Sequence, residues 1–112
     1  MRLRSDLFVS ALIRRAEVAG ASAMLRRRGA AEAGAIYLKI DLLDGRAAVL
    51  GPAPQSEELP EGVDRLFARL HRDEWIAPFE AEERMKKEIA FDSDLWLVEI
   101  EDREGRAFVD LA

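Results

Sequence analysis

The sequence predicts a single α+β domain built on a largely antiparallel sheet. Three observations carry this prediction. The chain has 112 residues with a hydrophobic fraction of 49 %, enough for one ordinary core. Segments in which apolar and polar residues alternate, as in strands, are mixed with segments of helical periodicity. An Asp-Gly turn signal between two strand-like segments favours an antiparallel hairpin. The expected order is α-β-β-β-β-α-β, with a further short strand at the end.

The first predicted element is a helix over residues 6–19. Ser5 can supply a side-chain oxygen to the first free amides of this helix, and apolar residues then recur at helical spacing. A strand over 7–13 followed by a helix that ends at Gly29 fits the same periodicity. The sequence therefore leaves both arrangements of residues 6–28 open.

The next predicted elements are a strand within 21–28 and a hairpin. From Ile36 onwards apolar and polar residues alternate, which predicts a strand with one buried face. Asp44 and Gly45 accept the positive φ angles of a type I′ turn, so residues 47–50 are expected to return beside that strand.

A Pro-rich loop is expected at 51–62, where three of the four prolines lie. Proline removes backbone donors, so neither a helix nor a central strand can run through this segment. The flanking segments are short for separate domains, and we therefore expect one domain over 1–112. A strand is expected around 66–71, with a helix as the alternative, followed by a second helix that begins at Pro78.

Trp96 lies in the middle of the last long predicted strand. It is in phase with Val98 and Ile100, which predicts that its ring is buried against helices over the sheet. Leu95 and Leu97 give the opposite face of this strand an apolar surface as well. Such a sheet needs cover on both faces, either from its own helices or from another copy of the chain.

Charge is unevenly distributed along the chain. The formal net charge is −5, with 9 basic and 5 acidic residues in 1–50 against 8 basic and 17 acidic residues in 51–112. The simplest interpretation is that the halves pack together and neutralise each other. An acidic protein is an unfavourable starting point for nucleic-acid binding, which usually requires a basic domain.

One group of residues could nevertheless bind nucleic acid or another anion. Arg26 and Arg28 share a face if their segment is a strand, and Tyr37 on a neighbouring strand could stack on a base. The candidate anion-binding residues are Arg14, Arg15, Arg26, Arg27, Arg28, Tyr37 and Lys39.

A second group could bind a divalent cation. Glu99 and Glu101 alternate onto one strand face, and carboxylates are the ligands that hard cations prefer. A metal-dependent nuclease also needs an acid on one strand and Glu-x-Lys on the next. Glu101 stands where that lysine would be, and Asp41 has no acidic partner in the next hairpin arm, so a solvated strand face is favoured. The candidate metal ligands are Asp92, Asp94, Glu99 and Glu101.

Several other classes are excluded. The absence of cysteine excludes disulfides and thiolate zinc sites and is compatible with the cytoplasm. Apolar runs are too short to cross a bilayer, so no membrane association is expected. The glycines at 29 and 34 have the spacing of a phosphate loop, but its lysine and hydroxyl residue are missing. No cofactor is expected.

Three stretches of the chain resemble a known family. They are residues 7–21, 33–40 and 91–106. The chain is similar there to domain-of-unknown-function family 1491, a family of small bacterial proteins. This resemblance implies a free-standing bacterial protein of this length, and it implies no activity, cofactor or catalytic residue.

The functional hypothesis is therefore a small cytoplasmic protein without catalysis. We expect it to act through a protein partner or through a second copy in a homodimer. Nucleic-acid binding through Arg26–Arg28 and a cation-dependent enzyme that uses the C-terminal carboxylates are the alternatives.

Overall fold

The computed structural model describes residues 2–54 and 59–112. The predicted α+β class and order of elements are confirmed. The elements are α1 (Ser5–Val18), β1 (Ser22–Arg27), β2 (Ile36–Asp41), β3 (Ala47–Pro52), β4 (Leu66–Arg69), α2 (Pro78–Phe91), β5 (Trp96–Glu101) and β6 (Asp110–Leu111). Within the Pro-rich segment predicted at 51–62, residues 51 and 52 belong to β3 and residues 55–58 lie outside the described residues.

The strands form one mixed sheet in the order β1-β5-β2-β3-β4-β6. The pairs β1–β5, β2–β3 and β3–β4 are antiparallel, whereas β2–β5 and β4–β6 are parallel. Strand β5 lies between β1 and β2. Strands β1 and β2, which follow each other along the chain, are therefore not neighbours in the sheet. The last strand pairs with β4 instead of returning beside β5.

Helix α1 covers one face of the sheet. Its buried residues Val9, Leu12 and Ala16 are spaced for one stripe of a helix. They pack in one cluster with the side of the sheet that carries Trp96 and Val98. The helical interpretation of residues 6–19 is thereby confirmed, and the alternative strand over 7–13 is wrong.

Helix α2 covers the opposite face. Ala81 and Met85 pack on the β3 residues Ala47 and Val49, in the cluster that also buries Leu97. Both apolar faces of the central strands are thus covered by helices of the same chain. The double-sided apolar pattern of β5 therefore requires no second copy.

Trp96 is 1 % exposed, as its phase predicts. Its indole Nε1–H donates a hydrogen bond of 2.7 Å to the carbonyl oxygen of Ala30, and the Ala30 N–H donates one of 2.9 Å to the Asp94 carbonyl. The loop over 29–34 is consequently held against the chain that leads into β5. This docking explains the glycine spacing that resembles a phosphate loop.

The β2–β3 hairpin is present, but its turn differs from the predicted one. Leu42 N–H bonds to the Arg46 carbonyl, and the positive φ angles fall on Leu43 and Gly45. A two-residue type I′ turn would place them on Asp44 and Gly45. The connection is therefore one residue longer than the Asp-Gly signal indicates.

Candidate functional site

The most prominent polar feature is a charged cluster beside helix α2, formed by Arg26, Lys39, Glu82 and Glu99. Arg26 comes from edge strand β1, Lys39 from β2, Glu99 from β5 and Glu82 from α2. Lys39 and Glu99 are only 6 % and 9 % exposed. Ionised groups are rarely this deeply buried unless they are paired, because burial removes their hydration.

Glu82 is the centre of this charged cluster. Its two oxygens accept hydrogen bonds of 2.6 and 2.8 Å from Arg26, and one of them also accepts a 2.7 Å bond from Lys39 Nζ. Arg26 bonds in addition to Glu99 at 3.1 Å. The cluster therefore links α2 to three strands through charge-assisted hydrogen bonds.

These bonds stabilise the ionised form of Glu82. The hydrogen bonds from Arg26, and then those from Lys39, lower the pKa of the Glu82 carboxyl from 4.5 to about 2. In turn, the hydrogen bonds to Glu82 raise the pKa of the Arg26 guanidinium. Glu82 and Arg26 are thus charged at neutral pH and neutralise each other. The two cations of the cluster are engaged within the fold and do not form a basic surface.

We predict that Glu82 makes stability sensitive to acid. Because its pKa is lower in the folded state, its contribution is complete above pH 4.5 and is lost as the pH falls through about 2. Glu82→Gln should lower the free energy of unfolding at pH 7 by about 1 kcal/mol, since solvent screens a side chain that is 34 % exposed. The substitution should also reduce the loss of unfolding free energy that wild type shows as the pH falls from 4.5 to about 2. Urea unfolding across pH 7 to 2 measures both effects, with Glu83→Gln as the control on the same helix; parallel curves for wild type and Glu82→Gln would contradict the prediction.

Three carboxylates converge at the far end of this cluster: Asp41, Glu99 and Glu101. One oxygen of each lies within 4.8 Å of the others, and this is the one such group among residues 2–54 and 59–112. The parallel pairing of β2 with β5 places Lys39 opposite Glu99 and Asp41 opposite Glu101. This group could hold one hard cation. Glu99 is already engaged by Arg26, however, and carboxylates that converge on a protein surface are common without a metal.

The four predicted metal ligands do not converge as a set. Glu99 and Glu101 share a face, but Asp92 and Asp94 lie before β5, at its opposite end from Glu101. There the Asp92 carboxylate accepts the backbone N–H of Asp94 at 2.9 Å. Asp41 takes their place beside the glutamates. Strand β3, which pairs with β2 in the hairpin, offers Asp41 no acidic neighbour. Its acidic neighbour Glu101 lies on β5 instead.

The predicted anion-binding residues are divided between the two faces of the sheet. Arg14 and Arg15 belong to α1, where Arg15 bonds to the Phe108 carbonyl at 2.6 Å. Arg27 bonds to the Ser93 carbonyl at 2.7 Å, and the guanidinium of Arg28 lies 5.4 Å from the centre of the Trp96 ring. Most of these cations therefore serve the packing of this chain, and they form no continuous basic patch.

Tyr37 and Lys39 lie on the α2 face, and β5 separates their strand from β1. Tyr37 is half-buried and packs against Gly51, where an added Cβ would lie 2.7 Å from its ring. Burial, with the negative charges of Glu88 and Asp92, raises the pKa of Tyr37. Its ring is thus committed to packing and is poorly placed for stacking on a base.

The single histidine is also engaged with the backbone. His71 Nε2 accepts the N–H of Val49 at 2.9 Å, and Nδ1 lies 2.8 Å from the Asp73 carbonyl. This pattern corresponds to the neutral tautomer with the proton on Nδ1. Neither ring nitrogen is available as a metal ligand.

The outward face of α2 carries a different kind of feature, which we name the α2 row: Phe79, Glu83, Lys87 and Phe91. These residues follow at steps of four and so form one ridge along the helix. Phe79 is 73 % exposed and Phe91 is 94 % exposed. Beside the row, a groove of about 270 Å³ separates α2 from the segment that contains His71 and Ile76.

A family model described as "Protein of unknown function (DUF1491)" matches residues 3–110. The chain belongs to the DUF1491 family. This confirms the resemblance seen in the sequence. No curated protein matches the chain, and no helix among the described residues is long and apolar enough to span a membrane.

Solved structures of similar proteins share the whole fold. A crystal structure of a DUF1491 family protein from Caulobacter crescentus is 34 % identical, with a TM-score of 0.82 over 100 % of this chain and 99 % of that one. A solution structure of a protein from A. tumefaciens is 42 % identical, with a TM-score of 0.82 over 100 % and 96 %. These similarities show that the chain has the fold of bacterial DUF1491 proteins.

Proposed function

We propose that this DUF1491 protein is a small cytoplasmic, non-catalytic interaction module that self-associates through the outward face of α2. The observation that carries the proposal is the exposure of Phe79 and Phe91 on one ridge of one helix. Burial of an exposed phenylalanine side chain contributes about 1.5–3 kcal/mol. Two such side chains on each copy provide a driving force for association; helix α1 exposes the aliphatic side chains Leu7 and Val18 but no phenylalanine to this degree.

The edge of the sheet is a less suitable surface for association. Strand β1 is mostly exposed and presents unpaired backbone groups at the edge. It is interrupted by an irregularity between Leu25 and Arg27, and its last residues are arginines. Bulges and charges of this kind prevent edge-to-edge pairing. The proposal therefore rests on α2 and not on β1.

The charged cluster supports a structural role better than a catalytic one. Arg26 and Lys39 are held by Glu82 and Glu99, so neither cation is free to meet a substrate. The groove beside α2 is open to solvent, and these groups are not among the residues that line it. Protein contact is thus the activity that the described surface supports.

We predict that removing both phenylalanines abolishes self-association. Sedimentation velocity from micromolar to near-millimolar protein should show the mass of wild type rising towards a dimer, and Phe79→Ala/Phe91→Ala should remain a monomer. Because both side chains are exposed, the melting temperature of this variant should be nearly unchanged. Val18→Ala, which removes an exposed side chain from α1, is the matched control and should associate like wild type. A wild type that remains monomeric throughout would contradict the proposal.

A further inference from the structure

We propose that two copies pack α2 against α2 in antiparallel orientation about a two-fold axis, so that Phe91 of each copy inserts beside Phe79 of the other. This inference rests on the proposed function, since it specifies the partner and geometry of the same surface. It follows from the order of residue types in the α2 row.

The α2 row is complementary to itself when it is reversed. Its four members read Phe, Glu, Lys, Phe at equal steps. A two-fold interface places residue i against residue j and j against i. With the axis opposite the middle of the row, Phe79 meets Phe91 of the second copy and Glu83 meets Lys87. Parallel helices in the same register would instead place Glu83 against Glu83.

The side chains of the row are available for these contacts. Glu83 is 46 % exposed at its side chain, where it reaches Lys86 at 3.2 Å, and Lys87 is exposed. Rows of residues four apart are the ridges that pack into the grooves of a facing helix. The two ion pairs would lie between the two aromatic contacts, which fixes both the direction and the register of the helices.

The groove beside α2 provides a place for the phenylalanine of the second copy. It is bordered by Ile76 on one side and by Phe79 on the other, at the end of α2 to which Phe91 of an antiparallel copy would extend. A cavity of about 150 Å³ holds a benzene ring. A groove of about 270 Å³ therefore has room for a phenyl side chain.

The test uses two charge reversals that are each unfavourable alone. Glu83→Lys places two lysines of one copy against two of the other, and Lys87→Glu does the same with glutamates. Each variant should self-associate at least about tenfold more weakly than wild type, because like charges are juxtaposed across the contact. A mixture of the two variants should restore association, because every lysine then faces a glutamate.

The measurement is a titration of fluorescently labelled Glu83→Lys with unlabelled Lys87→Glu, followed by anisotropy, beside sedimentation of each variant alone. Glu17→Lys on the exposed surface of α1 is the control for net charge and should dimerise like wild type. Melting curves of both variants report that the fold is retained.

The outcomes separate this inference from the proposed function. One outcome is that loss of the phenylalanines abolishes dimerisation while mixing Glu83→Lys with Lys87→Glu fails to restore the association that each reversal weakens. In that case α2 is the interface and the antiparallel register is wrong. If each reversal alone associates as well as wild type and the mixture associates more tightly than wild type, the helices are parallel and the inference is overturned, because parallel wild-type helices place Glu83 against Glu83 and Lys87 against Lys87. If wild type does not dimerise, both proposals fail.

Discussion

Replacement of Trp96 by alanine is expected to lower the free energy of unfolding by about 3–5 kcal/mol, the usual cost of deleting a fully buried aromatic side chain. The ring is 1 % exposed in the cluster between α1 and the sheet. The substitution also leaves the Ala30 carbonyl without its indole donor. A domain has only about 5–15 kcal/mol of stability, so this variant should be largely unfolded or close to its threshold.

Urea denaturation monitored by circular dichroism measures this effect. Trp75→Ala is the matched control, because Trp75 is only half-buried at the margin of the same cluster. This substitution should lower the free energy of unfolding by about 1–2 kcal/mol. Trp96→Phe keeps most of the side-chain volume, so its free energy of unfolding should lie between those of wild type and the alanine variant. A Trp96→Ala protein within 1 kcal/mol of wild type would show that the cluster does not depend on this ring.

Replacement of Gly29 by alanine is expected to cost about 3 kcal/mol, through overpacking against backbone and the loss of hydrogen bonds that follows. A Cβ at Gly29 would lie 2.6 Å from the carbonyl carbon of Leu95 and 2.7 Å from its oxygen. Backbone cannot rotate away as a flexible side chain can. The loop would have to withdraw from β5, which breaks the bonds that join Ala30 to Asp94 and Trp96.

Gly20→Ala is the control that separates lack of space from backbone conformation. Gly20 has a φ of 92° and no atom within 4 Å of an added Cβ. Its substitution should cost only the strain of a left-handed residue, about 1–2 kcal/mol. Thermal unfolding of both variants gives the comparison. Equal losses would mean that the approach of the loop to Leu95 is not tight in solution.

Local patterns were sufficient for most of the elements. Helical spacing over residues 6–19 predicted α1 but left a strand over 7–13 open, whereas alternation identified β2 and β5. Both kinds of pattern arise from the burial of one face of one segment, so they are contained in short stretches of sequence. The burial of Trp96 followed from the same phase.

The arrangement of the charged side chains could not be obtained in this way. Arg26, Lys39, Glu82 and Glu99 come from four elements, and their meeting depends on β5 lying between β1 and β2. Nothing within any one segment encodes that order. The position of β5 beside β2 also gives Asp41 the acidic neighbours Glu99 and Glu101, which its own hairpin does not provide. The α2 row, by contrast, is contained in one segment as two phenylalanines and two opposite charges at steps of four, but it lies outside the apolar stripe from which the buried face of a helix is predicted.

The central position of β5 also determines when the protein can fold. Strands β1 and β2 are synthesised early but have no contact with each other, since both pair with β5. Until residue 101 has left the ribosome, the nascent chain holds a β2–β3 hairpin with one side unpaired and a β1 segment with no partner. The indole that closes the core arrives on the same late strand. Folding of this domain must therefore wait until β5 has emerged, and until then the unpaired strand edges are open to pairing with those of other chains.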